Sequence, residues 1–278
     1  MTLRYAYNTN GAASHRLNDA LSLIADAGYD GVALTLDHHH LDPFADDWQR
    51  QADDLSETLA RKGLGCVIET GARYLLNARE KHEPTLVSPT AEDRARRVEF
   101  LIRALEIGDR LGAECVSFWA GVPKPDVDSG EARGWLLEGL EKVLIAAERL
   151  NIEAALEPEP GMLIETVYEY EILRNGLPGL KLALDTGHCL VTEDIDPADA
   201  VRAHADHLGT VAIEDMKRGE HVHLPFGEGD MDVPSVLAAL QEVNFSRLVC
   251  VELSRESPRA HLAIPESIEF LRRAERAA

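Results

Sequence analysis

Apolar residues recur along this chain in two alternating patterns. Short runs of four to six residues read as apolar on both faces: Arg4–Tyr7, Gly31–Leu36, Gly65–Ile68, Cys115–Trp119, Glu153–Leu156, Lys181–Leu184, Thr210–Ile213 and Leu248–Leu253. That pattern predicts eight buried parallel strands. Between them the apolar positions space out to a helical period. Leu17, Leu21 and Ile24 share a face, with Ser14 as a cap and Gly28 as a stop. Trp48, Ala52, Leu55 and Leu59 repeat the pattern up to Gly63, and Val98, Leu101, Ile102 and Leu105 follow Ser88–Thr90. Leu136, Leu140, Val143 and Ala147 form a fourth stripe. Shorter helices fit Thr166–Leu173, Pro197–His207 and Pro234–Val243, and a last one spans Pro265–Arg276.

Eight strand–helix units in 278 residues predict an α/β fold, a (β/α)8 TIM barrel. With no linker-like or low-complexity stretch, one domain is expected over residues 1–278. The competing open doubly wound sheet usually follows its first strand with a phosphate-binding loop. Here that place holds Asn8-Thr9-Asn10-Gly11, with no GxGxxG and no Walker motif. The longest unpatterned stretch, Thr70–Pro89, follows the third strand and is expected to form a lid.

Charge narrows the partners. Lys and Arg number 28 against 49 Asp and Glu, giving −21, which argues against nucleic acid and anionic membrane. No apolar run is long enough to span a bilayer, and the first residues lack a signal peptide's apolar core. The cysteines Cys66, Cys115, Cys189 and Cys250 form no CxxC and sit in or beside strand runs, the usage of buried reduced thiols. A cytoplasmic protein acting on a small molecule is the expectation.

Barrel active sites form at the C-terminal strand ends. Those ends read Ile68-Glu69-Thr70, Leu156-Glu157-Pro158-Glu159, Leu184-Asp185-Thr186-Gly187-His188, Ile213-Glu214-Asp215 and Val251-Glu252. Carboxylates gathered there repel one another unless a cation neutralises them, and with histidines nearby a divalent metal is the natural choice. Trp119 is placed as an apolar wall of such a pocket, one of His38-His39-His40 at its mouth, and Arg73, Lys81 and His82 as positive charge over an anionic substrate.

These residues resemble the xylose isomerase-like TIM barrels, which join sugar isomerases and epimerases with nucleases of the endonuclease IV type. The carriers are Leu156–Pro158 (LEP), Leu184–His188 (LDTGH), His221–Asp232 (HVHLPFGEGDMD) and Val251–Leu253 (VEL). The resemblance implies metal ligation by Glu157, Asp185 and Glu252 and by a histidine on the seventh strand. That last position falls on Ala212, so His223, His221 or Glu214 is expected to take its place, His223 first, with His188 as a further candidate ligand. It also implies that His188 and Arg218, or Lys217 beside it, contact substrate, and that Glu157 and Glu252 move protons; Glu214 is expected beside the substrate as well. Three carboxylates favour Mn2+ or Mg2+, and added histidines shift the choice to Zn2+. Similar barrels are often homo-oligomers. The activity implied is a metal-dependent sugar or sugar-acid isomerase or epimerase working through an enediolate. The alternatives are a dehydratase of the same barrel, a non-catalytic ligand-binding barrel, and the nuclease, which net charge and Ala212 both disfavour.

Overall fold

Eight of the predicted runs pair side by side in the computed structural model, which describes residues 2–277. They are β1 (Arg4–Asn8), β2 (Gly31–Thr35), β3 (Gly65–Glu69), β4 (Val116–Trp119), β5 (Ala154–Glu157), β6 (Lys181–Asp185), β7 (Leu208–Ile213) and β10 (Leu248–Val251). All neighbours are parallel, and β10 pairs with both β7 and β1, which closes the barrel. The remaining strands, β8 (Asp215–Lys217) and β9 (Glu220–Leu224), form an antiparallel hairpin after β7. The sequence flagged His221–Asp232 for its chemistry and did not anticipate this hairpin.

The helices wrap the barrel: α1 (Leu17–Ala27), α2 (Trp48–Lys62), α3 (Ala91–Leu111), α4 (Ser129–Leu150), α5 (Val167–Arg174), α6 (Thr186–Thr192), α7 (Pro197–Ala203), α8 (Val233–Glu242) and α9 (Ala260–Ala277). Gly28 and Gly63 end α1 and α2 in the left-handed region, as expected. Two expectations need correction. Ser14 does not cap α1, because its amide and hydroxyl bond the Ser257 hydroxyl at 2.7 and 2.9 Å. Pro265 does not start the last helix, which begins at Ala260. The missing N–H of Pro265 would have reached the carbonyl of His261, an exposed residue whose oxygen water can serve. None of the described helices is long and apolar enough to cross a membrane, and all four cysteines are free and buried.

Side chains alternate along a strand, so every second residue faces the barrel axis. The middle layer is small and apolar: Ala6, Ala33, Val67, Leu248 and Cys250 make one buried cluster, and Cys115, Ala155 and Ala183 another. Two residues further along the same strands come Asn8, Thr35, Glu69, Glu157, Asp185 and Glu252. The polar layer therefore sits directly on the apolar one. At the opposite end the axis is tied by ion pairs: Arg4 Nη1 to Glu114 Oε1 at 2.6 Å and Arg247 Nη2 to Glu153 Oε1 at 2.6 Å.

Residues 70–90 form no helix or strand, yet Leu76, Leu86 and Val87 anchor this loop in the core. The fully buried Arg97 of α3 donates from Nη2 to the Thr70 carbonyl at 3.0 Å, its guanidinium 4.3 Å from the centre of the Trp119 ring. The expected lid is thus a fixed wall over much of its length. It leans on the turn after β4, where Gly121 has φ +102° and where a β-carbon would lie 2.3 Å from Cβ of Thr85. Gly121→Ala should cost about 2–5 kcal/mol, from backbone strain and overpacking together. Gly28→Ala, with φ +90° and nothing within 4 Å of the added carbon, should cost about 1 kcal/mol. Urea denaturation midpoints of the two variants check the contrast.

Candidate active site

The C-terminal strand ends surround a cavity of about 290 Å3. Its lining includes Thr35, Glu69, Trp119, Glu157 and Glu252 from the barrel, Asn10 from the 3-10 turn after β1, Glu159 from the loop after β5, and His188, His221 and His223. Asp185 lies just behind His188. It caps α6, its Oδ1 accepting from the amides of Gly187 at 2.7 Å and His188 at 3.1 Å. The β6 turn thereby sets both residues at once: Asp185 is fixed by the helix it starts, and His188 rises from the first turn of that helix.

His188 is the hub. Its Nδ1 donates to the Pro158 carbonyl at 3.0 Å, leaving Nε2 with a lone pair turned inward when the ring is neutral. Nε2 lies 3.1 Å from His221 Nε2, 3.5 Å from Asp185 Oδ2 and 3.8 Å from Glu159 Oε2, while Nδ1 is 3.7 Å from Glu157 Oε1. Candidate ligand atoms of Glu157, Asp185 and His188 all lie within 4.8 Å of one another. The same holds for Asp185, Glu214 and His223, and for His188, His221 and His223. Glu252 belongs to none of these groups among the described residues. It shares the cavity wall, and its Oε1 accepts from Asn10 Nδ2 at 2.8 Å.

Ala212 faces this centre from β7, in register with Asp185 on one side and Cys250 on the other. An alanine there brings no nitrogen. The nitrogens arrive instead from the β8–β9 hairpin, whose second strand carries His221 and His223 back over the barrel mouth. His223 Nδ1 stands 3.9 Å from Glu214 Oε1. Glu214 is fully buried beneath it and does not line the cavity. Asp215 pins the segment after the hairpin, accepting from Gly227 N at 2.7 Å and Met231 N at 3.0 Å. Gly229 has no room for a side chain there, since a β-carbon would meet Asp215 Oδ1 at 2.3 Å. Much of the GEGDMD stretch thus shapes the hairpin. Arg218 lies on its exposed turn and borders a separate cleft with Asp196 and Asp230.

Four buried polar atoms at this centre find no hydrogen-bond partner: Asp185 Oδ2, both Glu214 oxygens and His223 Nδ1. Unpartnered polar atoms buried together are costly. A divalent ion satisfies such a set, and these carboxylates and imidazoles are its ordinary ligands. The electrostatics agree. Burial, then the neighbouring acids Glu159, Glu69, Glu252 and Asp185, hold the Glu157 carboxyl well above the usual range. Burial and Glu252 push Glu69 up to about 8. Burial and Asp185 raise Glu214 well above its ordinary value. Burial pushes Asp185 up as well, but His188, His223 and its hydrogen bonds outweigh that and leave it below the ordinary value. Burial pulls His223 down, but Glu214 more than offsets this and lifts it to about 10. Burial and its two histidine neighbours push His221 down to about 4.

Trp119 lines the cavity as expected, with the His82 ring 5.3 Å away. None of His38, His39 and His40 does; His38 bonds Asp37 at 2.7 Å, and His40 Nε2 lies 3.2 Å from the His15 carbonyl. Asn10 and Thr35 were absent from the expected site, and Glu159 was read only as part of a strand end. Thr35 was legible from strand parity; Asn10 sits in a 3-10 turn and Glu159 in a loop, which parity does not reach.

A family model described as "Xylose isomerase-like TIM barrel" matches residues 21–274. L-ribulose-5-phosphate 3-epimerase UlaE of Salmonella paratyphi C (strain RKS4594) is 25% identical over 252 residues, covering 88% of this chain and 86% of that one. Among solved structures, an L-ribulose 3-epimerase superposes with TM-score 0.78 at 20% identity, covering 99% of this chain and 95% of the other. D-allulose 3-epimerase from Methylomonas sp. in complex with D-allulose gives 0.75 at 20%, covering 98% and 97%. The IolI protein with a bound zinc atom gives 0.74 at 18%, covering 98% and 96%.

The acid cluster has a thermodynamic signature. Glu69 is raised from 4.5 to about 8 and His223 from 6.5 to about 10, so between pH 7.5 and 8.5 the folded state holds more protons than the unfolded one. The lowered histidines His40, His82 and His221, whose ordinary value is 6.5, are mostly neutral in both states there. The melting temperature of chelator-treated protein should therefore fall as pH rises from 7.5 to 8.5. Added Mn2+ or Zn2+ should raise it, by more at pH 8.5 than at pH 7.5, because the ion replaces those protons. Thermal melts at the two pH values, with and without metal, test this.

Proposed function

The chain belongs to the xylose isomerase-like TIM barrel family, and from that membership we propose that it is a metal-dependent epimerase or isomerase of a sugar or sugar acid. The observation that carries the reading is the set of unpartnered polar atoms at Asp185, Glu214 and His223, which lies against Glu157 and His188 at the wall of a cavity of sugar size. Its relatives by sequence and by fold include epimerases of ketoses and of a ketose phosphate. Glu157, Asp185 and Glu252 would hold the ion, with His223 supplying the nitrogen that Ala212 lacks and with His188 and His221 within reach. A divalent cation in that place supplies Lewis-acid stabilisation of negative charge on a substrate oxygen.

The chain's own residues do the rest. The hydrogen on a carbon beside a carbonyl is weakly acidic, and its removal needs a carboxylate positioned against it. Glu157 and Glu252 come from strands on different sides of the mouth, which suits one to take that proton and the other to deliver one. Delivery to the same carbon from the opposite face inverts it; delivery to the neighbouring carbon gives the isomer. Desolvation of Glu157 strengthens it as a base once the local negative charge is balanced. Asn10 holds Glu252 at 2.8 Å and fixes its aim. His188, set by Pro158, has Nε2 free to meet a substrate hydroxyl or to join the ligands. Trp119 gives the cavity an apolar side against which sugar carbons can lie.

Glu157→Gln and Glu252→Gln should each slow exchange of the substrate's alpha hydrogen with solvent by at least about a hundredfold. Proton NMR in D2O on a panel of ketoses and their phosphates reads this directly, and the product spectrum separates epimer from isomer and from a dehydrated product. Undiminished exchange in both variants would sink the reading. Asp185→Asn and His223→Ala should each lower the divalent metal content of purified protein, from about one ion per chain, as measured by mass spectrometry.

A further inference from the structure

Charge is sorted within this cavity. Its floor carries Glu69, Glu157, Glu159 and Glu252, while Arg73 and Lys81 of the 70–90 loop and Arg255 after β10 stand at its rim. Cations in a chain of net charge −21 have acids everywhere to pair with. Twelve of the other 25 Lys and Arg side chains do so. Arg73, Lys81 and Arg255 form no ion pair among the described residues. Lys81 is the telling case. Its chain neighbours Glu80 and Glu83 both turn to Lys124 instead, Glu83 at 2.9 Å. Two acids within two residues leave the cavity-side lysine unpaired and neutralise one across the loop.

We propose that Arg73, Lys81 and Arg255 form an anion subsite, and that the substrate is a sugar derivative whose far end carries a terminal oxyanion, a phosphate or a carboxylate. Three cations lining one concave mouth raise the positive potential there, and guanidinium groups grip such oxygens in pairs. With one end on the rim and the other over the acidic floor, a ligand of this kind can lie in only one direction. The subsite thus sets which carbon reaches Glu157 and Glu252. The field of these groups is felt locally: His82 is pushed down to about 4 by burial first, then by the charges of Lys81, Arg97 and Arg73.

This inference rests on the cavity being the substrate site proposed above, and its test is kept separate from turnover. Calorimetry on the metal-loaded full chain would compare ribitol, ribitol 5-phosphate and ribonate, none of which has a carbonyl to react. At least one anion should bind about tenfold or more tighter than ribitol, and that advantage should shrink as salt is raised. The anion favoured assigns the terminus. Arg73→Ala, Lys81→Ala and Arg255→Ala should each weaken anion binding about three- to tenfold and leave ribitol unchanged; circular dichroism confirms that the variants fold. Neither anion binding more tightly than ribitol, or variants that weaken all three ligands alike, would overturn the subsite. Loss of alpha-hydrogen exchange with this discrimination intact would count against the reaction and not against the subsite.

Discussion

Mutual repulsion among buried carboxylates is the constraint around which this barrel is arranged. Glu69, Glu157, Glu159, Asp185, Glu214 and Glu252 share one strand-end layer and the loops beside it. Bringing such groups out of water costs several kcal/mol each unless a partner is supplied. The fold meets part of that cost internally. Backbone amides at the start of α6 hold Asp185, Asn10 holds Glu252, and His223 faces Glu214. What remains is a set of acceptors aimed at a common space, and that remainder defines the site.

The two ends of the barrel answer the same problem differently. At the N-terminal ends of the strands, Arg4 pairs with Glu114 and Arg247 with Glu153, so each acid there has its cation built in. That end is finished as folded. At the C-terminal ends the acids outnumber their fixed cations, and the free cations stand apart at the rim. The paired ions lie at one end and the candidate site at the other, with the layer of Ala6, Ala33, Ala155 and Ala183 between them.

Much of this could be read from the chain because the strands are short and buried. Each of Glu157, Asp185 and Glu252 directly follows an apolar run, so they announced themselves as strand-end acids. What parity could not reach lies off the strands. His221 and His223 were visible as a pair, but their place over the mouth depends on a hairpin whose turn, at Arg218 and Gly219, also carries Arg218 away from the cavity. Arg97 was invisible for another reason. A charged residue beside Val98 in a helix reads as solvated, yet it is fully buried against the faces of Trp119 and Phe100. Tertiary packing decided that position, and helical periodicity alone cannot show it.

The imidazoles of His221 and His223 hang on a hairpin outside the closed sheet, and this bears on kinetics. An ion held wholly by barrel strands can leave only when the barrel itself deforms. Here the hairpin stands outside the cylinder: its first strand is buried at Asp215 and Met216, and its second, which carries both histidines, is partly open to water. Were an ion held there in part by these imidazoles, its exchange would follow the opening of that second strand, a local event far cheaper than global unfolding, with the cylinder left intact.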